Sequence, residues 1–187
     1  MPAIEREGTI ARWDEGVPLG NGLFGVLAWG GGGVVRLSLD RGDLWDTRVP
    51  ETFREPGWTW ANMIALKQAK NHKEHQRLFD VPYDTIPYPT KLPTARVEFT
   101  LPGRTRITKW TLRPGDTWAR LEREEKLEGE AVALSTMELV VHEREPLVTI
   151  ATLAPGTVVK LVRPAGLDKL GYEAARTGEA DGQQWFV

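Results

Sequence analysis

The sequence predicts a mainly β protein, a large antiparallel β-sandwich (supersandwich) with one helical excursion near residues 60–79. Three observations support this prediction. Apolar and polar residues alternate with a period of two through most of the chain. The 187 residues include 19 glycines and 13 prolines, which indicate many tight turns. They also include eight tryptophans, whose large side chains suit the core of such a fold.

The first clear strand is VVRLSLD, residues 34–40, which places Val35, Leu37 and Leu39 on one face. Residues 95–101 repeat this alternation. Period-two alternation is typical of a strand that is buried on one side and solvated on the other. We therefore expect both segments to contribute to the same kind of half-buried sheet.

Residues 105–123 predict a β-hairpin, because two alternating segments flank the turn sequence Arg113-Pro114-Gly115-Asp116. The charge run at residues 122–130 is interpreted as a solvated strand end. The chain ends in an apolar, strand-like stretch, so we expect residue 187 to be a boundary inside a longer sheet. Further strands are predicted within residues 130–143, 146–153, 157–164 and 182–187.

One segment departs from the alternation. Residues 60–79 contain good helix formers and neither glycine nor proline, and Trp60, Met63 and Ile64 can share one helical face. Residues 70–77 are almost wholly polar, which predicts a solvated second half. Residues 81–93 follow with four prolines and are expected to be an extended, irregular connection.

Composition and charge exclude several classes of function. The net charge of −2 gives no electrostatic reason to expect nucleic acid or an anionic membrane as a partner. No apolar run approaches the length of a membrane span, and the first ten residues do not resemble a signal peptide. The absence of cysteine excludes disulfides and thiolate metal sites, and it favours a cytoplasmic protein slightly.

The most conspicuous motif is Gly20-Asn21-Gly22-Leu23-Phe24-Gly25, which has the G-x-G-x-x-G spacing of a nucleotide-binding loop. Such a loop needs a strand before it and a helix after it. Gly16 and Pro18 disfavour the strand, and the glycines at 30–33 disfavour the helix. The lysine and the later motifs of a kinase are also missing. We therefore predict a tight turn that enters an early strand, with no nucleotide and no other cofactor.

Other polar clusters give no convincing catalytic or metal site. Asp40, Asp43 and Asp46 recur every three residues, without the alternating ligands of a calcium loop. Turn aspartates that bond to the local backbone explain them better. His72 and His75 have the wrong spacing for a zinc helix and no evident third ligand. We predict no catalytic residue, no metal and a solvated helix face at these histidines.

Residues 11–48 resemble the opening of the N-terminal domain in α-L-fucosidase-type glycoside hydrolases of family 95, which are related to family 65. That opening reads approximately W-x-E-G-x-P-x-G-N-G-x-x-G, then a short apolar run, a strand and L-N-x-D-x-x-W. The passage YPTKLPTARVEFTL is also similar to the family in pattern. The matching residues are Trp13, Glu15, Gly16, Pro18, Gly20, Asn21, Gly22, Gly25, Leu39, Asp43 and Trp45.

The sequence departs from the family at Asp40, where asparagine is usual, and at Arg41-Gly42, where an acidic residue is favoured. The PTKLP segment also differs from the usual fucosidase sequence, which points to an uncharacterised branch of the family. The resemblance implies a β-sandwich followed by a linker and an (α/α)6 barrel that carries the catalytic carboxylates. The expected domain is residues 1–187, a single N-terminal sandwich truncated at its C-terminal end, with its own barrel absent from this chain.

Three functions remain open. The first is a non-catalytic domain that supports the barrel of an inverting, fucosidase-like hydrolase, inactive by itself. The second is a carbohydrate-binding module that stacks sugars on Trp45, Trp58 or Trp60, and the third is a structural domain with internal tryptophans. Asp43 and Trp45 are candidate sugar contacts, with a buried corner as the alternative. Coplanar exposed indoles would favour the module, whereas we expect an exposed apolar patch.

Overall fold

The computed structural model describes residues 2–113, 115, 117–126 and 132–186, with backbone only at positions 125, 126, 132, 184 and 186. The chain divides into two compact units. The sandwich unit comprises residues 2–43, 93–164 and 175–186. The helical unit comprises residues 44–92 and 165–174. Pro114, Asp116 and Val187, together with residues 127–131 of the charge run, lie outside the described residues.

The regular elements follow in chain order. The strands are β1 (Ile4–Glu7), β2 (Val17–Gly20), β3 (Phe24–Gly31), β4 (Val34–Arg41), β5 (Trp45–Asp46), β6 (Thr90–Lys91), β7 (Ala95–Thr100), β8 (Arg104–Leu112), β9 (Trp118–Lys126), β10 (Val132–Val141), β11 (Val148–Ala151), β12 (Val158–Val162), β13 (Thr177–Ala180) and β14 (Gln183–Phe186). The α-helices are α1 (Trp60–Gln68), α2 (His72–His75), α3 (Val81–Thr85) and α4 (Gly166–Lys169). Short 3-10 turns lie at Trp13–Glu15 and Glu51–Arg54, and a π-helical segment at Gln76–Asp80.

Two five-stranded antiparallel sheets form the sandwich unit, and they confirm the predicted fold class. Sheet A has the strand order β1-β8-β9-β10-β11, and sheet B has the order β12-β7-β4-β3-β2. The predicted hairpin is the β8–β9 pair, which contains a bulge between Ile107 and Lys109. Strands occupy 43% of the structure and helices 20%, as expected for a β protein with a helical excursion.

The core lies between the inner faces of sheets A and B. Val35 and Leu37 of β4 are fully buried, as the alternation predicted, and Phe99 of β7 joins them. Sheet A contributes Trp110, whose indole N–H donates to the Gly8 carbonyl oxygen at 3.0 Å. The polar atom of this buried ring is therefore satisfied, and the indole fills the core without a desolvation penalty.

One charged residue, Arg123, is buried on the inner row of β9 beside Leu121. Its Nε donates to Ser135 Oγ at 2.6 Å, and its Nη2 donates to the Thr152 carbonyl oxygen at 3.2 Å. Its Nη1 is buried without a hydrogen-bond partner. Thr152, at the end of β11, has a φ of 58°, a conformation uncommon for a β-branched residue. This corner of the sandwich is thus held by polar contacts.

The helical excursion is present and continues beyond residue 79. α1 begins at the N-cap Thr59 and ends before Lys70, where a φ of 55° breaks the helix. The side chain of Asn71 then caps α2 by accepting from the Glu74 amide. The expectation of an extended connection from residue 81 is wrong for its first five residues, because Pro82 lies in the first turn of α3, where a missing N–H costs nothing.

The glycine-rich motif is a tight turn that enters β3, as predicted, but it also follows a strand, β2, which pairs antiparallel with β3. Asn21 Oδ1 accepts from the amides of Leu23 and Phe24 at 3.1 and 2.8 Å, and Gly22 has a φ of 94°. The expectation that Pro18 prevents a strand is wrong. β2 is the edge strand of sheet B, and an edge strand tolerates a residue that cannot donate outward.

The β3–β4 hairpin provides a test of how closely the backbone packs. Gly30 has a φ of 125°, and a Cβ there would overlap the Val34 carbonyl oxygen, whereas a Cβ at Gly32 meets no atom within 4 Å. We expect Gly32→Ala to lower the free energy of unfolding by about 1 kcal/mol, the cost of a left-handed alanine. Gly30→Ala should cost about 3 kcal/mol or more, because strain and overlap add. Urea denaturation measures both, and equal losses would contradict the described geometry.

Candidate functional site

The helical unit contains three of the four residues that the sequence singled out for sugar contact. Trp45 lies in β5, Trp58 precedes α1, and Trp60 is the first residue of α1. The fourth, Asp43, belongs to the sandwich unit. The chemistry of the helical unit is organised around a carboxylate and a guanidinium that the sequence did not single out as a pair.

Asp46 is the buried carboxylate of this unit, with 2% of its surface exposed. β5 is only two residues long, and its alternation directs Trp45 outward and Asp46 inward. The Asp46 carboxylate accepts from the Arg48 amide and Nε at 3.0 Å and from Arg48 Nη2 at 2.6 Å. These hydrogen bonds from Arg48 hold the pKa of the Asp46 carboxyl below its usual range against the opposing effect of burial, with a further contribution from the Tyr172 hydroxyl.

Arg48 is held between two tyrosine rings. Its guanidinium carbon lies 4.2 Å from the ring centroid of Tyr88 and 5.3 Å from that of Tyr172. Nη2 also donates to the Leu170 carbonyl oxygen at 2.7 Å. The guanidinium therefore links β5, the segment before β6 and the loop after α4. This arrangement fixes a half-exposed cation in one position.

Trp58 lies in an aromatic cluster. Its ring stacks on Phe53 with centroids 4.3 Å apart and an interplanar angle of 23°, and it contacts Phe79 at 6.1 Å. Tyr83 contacts Phe53 from another direction. The indole N–H of Trp58 is buried without a hydrogen-bond partner. A ring that is stacked on one face and closed at its polar edge is a poor platform for a sugar.

The other candidates are exposed. Trp60 has 74% of its surface exposed and Trp45 54%. Asp43 is also exposed, and its carboxylate pairs with Arg41 Nη2 at 2.7 Å. The buried corner that the sequence offered as an alternative is therefore formed by Asp46 and by neither Asp43 nor Trp45. Among the described ring contacts, Trp58 pairs with Phe53 and Phe79 and not with Trp60.

Large apolar side chains are exposed throughout the helical unit. The expected apolar patch stays a prediction, because exposure alone does not establish that these side chains are contiguous. They are Trp45, Val49, Trp60, Val81, Tyr83 and Tyr172.

A second polar and aromatic cluster lies on the outer face of sheet B, and it was not predicted from the sequence. Trp29 of β3 lies beside Arg36 of β4, whose guanidinium carbon is 4.9 Å from the indole centroid. Trp29 Nε1 donates to Ser38 Oγ at 3.1 Å. Arg96 and Glu98 of β7 complete the group. The available signal was the position of Trp29 next to the buried Ala28, which places it among the outward residues of its strand.

Glu98 joins the two arginines of this cluster. Arg96 Nε donates to Glu98 Oε1 at 2.9 Å, and Arg36 Nε approaches the same oxygen at 3.3 Å. The three side chains are partly exposed, Arg36 at 30% and Arg96 at 38%. One carboxylate oxygen thus serves both arginines of this cluster.

The two histidines that the sequence singled out, His72 and His75, are the first and last residues of α2. His75 Nδ1 lies 3.7 Å from Asp80 Oδ2, within α2 and the π-helical segment that follows it. In the part of the chain that the structure describes, no three histidine, cysteine or acidic side chains gather as a metal site would need. None of its helices combines the length and apolarity needed to span a membrane.

No protein-family model matches the chain, and no curated protein matches it significantly. The function therefore has to be argued from the residues and from the geometry above.

The buried pair makes a pH-dependent prediction. A pKa that folding lowers stabilises the folded state above the unfolded pKa of about 3.9, and this stabilisation is lost as the pH falls through the folded pKa. We expect Asp46→Asn to lower the unfolding free energy by about 2–3 kcal/mol at pH 7. The difference from wild type should shrink below about pH 4.

The matched control is Asp43→Asn, which removes an exposed partner of an arginine two residues away. It should cost less than about 1 kcal/mol at any pH. Urea titrations between neutral and acid pH measure both variants. A cost for Asp46→Asn that does not change with pH would contradict a charged Asp46.

Proposed function

We propose that this chain is a non-catalytic β-sandwich domain of a glycoside hydrolase with a fucosidase-like parent, and that it packs against a catalytic barrel of that protein. The proposal begins from the resemblance of residues 11–48 to the opening of family 95 enzymes. The chemistry would then belong to the barrel, and this domain would support it.

The observation that carries the proposal is the architectural role of the family-like residues. A Cβ on Gly16 would lie 2.7 Å from Leu27 Cγ and 3.0 Å from the Trp13 carbonyl oxygen. A Cβ on Gly20 would lie 3.1 Å from the Phe24 carbonyl oxygen. Gly22 adopts a positive φ. Each glycine is therefore required by a close approach or by a turn, without reference to any ligand.

Asn21 also connects this motif to a distant segment of the sandwich unit. Its Nδ2 donates to the carbonyl oxygens of His142 and Glu145 at 2.7 and 3.1 Å, in the loop between β10 and β11. Both ends of the amide are thus used, because Oδ1 already accepts from the turn amides. The motif joins a turn of sheet B to a loop of sheet A. A framework role of this kind fits a supporting domain.

Three carboxyl groups lie in surroundings that favour a framework role over that of a general acid. A glycosidase needs a general acid whose pKa is raised. Hydrogen bonds from neighbouring arginines instead lower the pKa of Asp14, Asp46 and Glu74. Other carboxylates of the sandwich unit pair with basic side chains across the strands. These pairs are Lys109–Glu5, Arg106–Glu124 and Arg120–Glu138.

A carbohydrate-binding module is the second candidate. The exposure of Trp45 and Trp60 favours it, because both indoles can offer a face to a sugar. The stacked position of Trp58 weakens it. We expect neutral free sugars to bind no more tightly than millimolar, and calorimetry against fucosylated and plant oligosaccharides tests this.

Hydrolysis assays test the proposal itself. The 187-residue chain, incubated with aryl α-L-fucosides and a panel of other chromogenic glycosides, should release no product above the buffer blank. A contaminating enzyme is controlled by assaying Glu138→Gln and Glu124→Gln variants purified in the same way. Turnover that follows the chain through purification and falls in either variant would overturn the non-catalytic proposal.

A further inference from the structure

The outer face of sheet B carries an aromatic and basic row that the proposed function does not use. The registers Trp29↔Arg36, Arg36↔Glu98 and Glu98↔Lys160 align four residues on four neighbouring strands. Arg36 and Glu98 face outward, since the residues before and after them belong to the core or pack against it. Their register partners Trp29 and Lys160 lie on the same face, because directly opposite residues of an antiparallel pair point to the same side. The row therefore crosses the sheet at right angles to its strands.

Trp29 is held rigidly at one end of this row. Its indole N–H donates to Ser38 Oγ, and the guanidinium carbons of Arg36 and Arg96 lie 4.9 and 6.0 Å from its centroid. The Arg36 guanidinium lies over the indole ring, and this stacking fixes both groups, so that a ligand of the arginine meets a pre-ordered partner at low entropic cost.

The two arginines keep most of their donors for a ligand. A guanidinium has five N–H groups, and the hydrogen bonds of Arg36 and Arg96 to described residues use only Nε of each. Glu98 balances one of the two charges, and the exposed Lys160 at the end of the row adds another cation. The Nη groups can bind a carboxylate or a sulfate in the bidentate manner that arginine favours.

The row continues into a groove at the edge of sheet B. Lys160 lines a groove of about 400 Å³ together with Thr177, Glu179 and Trp185. Strands lie about 4.8 Å apart, so the three intervals from Trp29 to Lys160 span roughly 14 Å. An oligosaccharide crossing the strands would contact the row first and this groove next.

We propose that the outer face of sheet B binds an acidic sugar, a pyranose that carries a carboxylate or a sulfate, through Arg36 and Arg96, whose guanidinium groups are held against the Trp29 indole. The inference rests on the proposed function only for the expectation that the ligand is a carbohydrate. The charge and the site follow from the residues themselves. We expect a dissociation constant in about the millimolar range, because an open sheet face buries little of a ligand's surface.

Nuclear magnetic resonance on the ¹⁵N-labelled chain tests the proposal. The indole N–H signal of Trp29 is assigned with Trp29→Phe and followed during titration with trigalacturonate and with the neutral galactose trimer, which lacks the carboxylates. The acidic trimer should shift this signal with at least about tenfold higher affinity, the contribution of a charge-assisted hydrogen bond. Added salt should weaken the binding.

Variants assign the effect to the two arginines. Arg36→Ala and Arg96→Ala should each weaken the acidic trimer by about tenfold or more. Arg36→Lys should recover part of the loss, because it keeps the charge and loses the bidentate geometry. Glu98→Gln should tighten binding, since it removes the competing carboxylate. Arg106→Ala, on the outer face of sheet A, is the matched control and should leave the affinity unchanged.

The outcomes separate the parts of the proposal. Equal affinity for the acidic and neutral trimers would overturn the charged ligand, and an equal response to acetate or sulfate alone would overturn the sugar. No shift at tens of millimolar would overturn the site. The titration and the hydrolysis assay test separate proposals. None of these titration results changes the expected result of the assay, and turnover in the assay would not change how the titration is interpreted.

Discussion

The mutual burial of two inner sheet faces is the constraint on which the sandwich unit depends. Leu37 of sheet B and Leu121, Met137 and Leu139 of sheet A are all completely buried. Each such side chain contributes about 1.5–3 kcal/mol through its removal from water. Because side chains alternate along a strand, this burial also decides what lies outside. Every second residue must then be one that tolerates water, so the charged ladders on the outer faces follow from the packing of the core.

The two outer faces meet this requirement differently. On sheet A, basic and acidic residues pair one to one across the strands, as in Arg106–Glu124 and Arg120–Glu138. On sheet B, Arg36 and Arg96 share the single carboxylate of Glu98 beside a tryptophan. The described pairs of sheet A thus match one cation with one carboxylate, whereas the cluster on sheet B has donors in excess. The helical unit presents a third solution, in which Asp46 and Arg48 neutralise one another between two tyrosines.

The sequence predicted the features that depend on neighbouring residues. Alternation identified the core positions Val35 and Leu37, and Asn21-Gly22 together with the glycines at 30–33 predicted a turn without a following helix. Features that depend on distant partners were missed. Pro18 is compatible with a strand because β2 lies at an edge, and edge position follows from the order of the whole sheet. The surroundings of Trp29 depend on register with β4 and β7, which no single segment encodes.

In the candidate site, too, the sequence predicted the local contacts and missed the contacts between distant segments. The Asp46 side chain does accept from a local backbone amide, as turn chemistry predicted for the spaced aspartates. Its burial and the contacts of Arg48 with Tyr172 and Leu170 involve a segment more than 120 residues away. The exposure of Trp45 and Trp60, and the stacking of Trp58, depend equally on tertiary packing. Residue type alone could not separate these three tryptophans.

The proline in β2 has a consequence for self-association. A sheet that ends in a regular strand offers a row of unpaired amides, on which a second molecule can continue the sheet. In β2 the middle of that row is interrupted at Pro18, and the strand is only four residues long. Added β-pairing is therefore disfavoured at this margin of sheet B. The strand that leads into the Asn21 turn thus also disfavours edge-to-edge association of the protein.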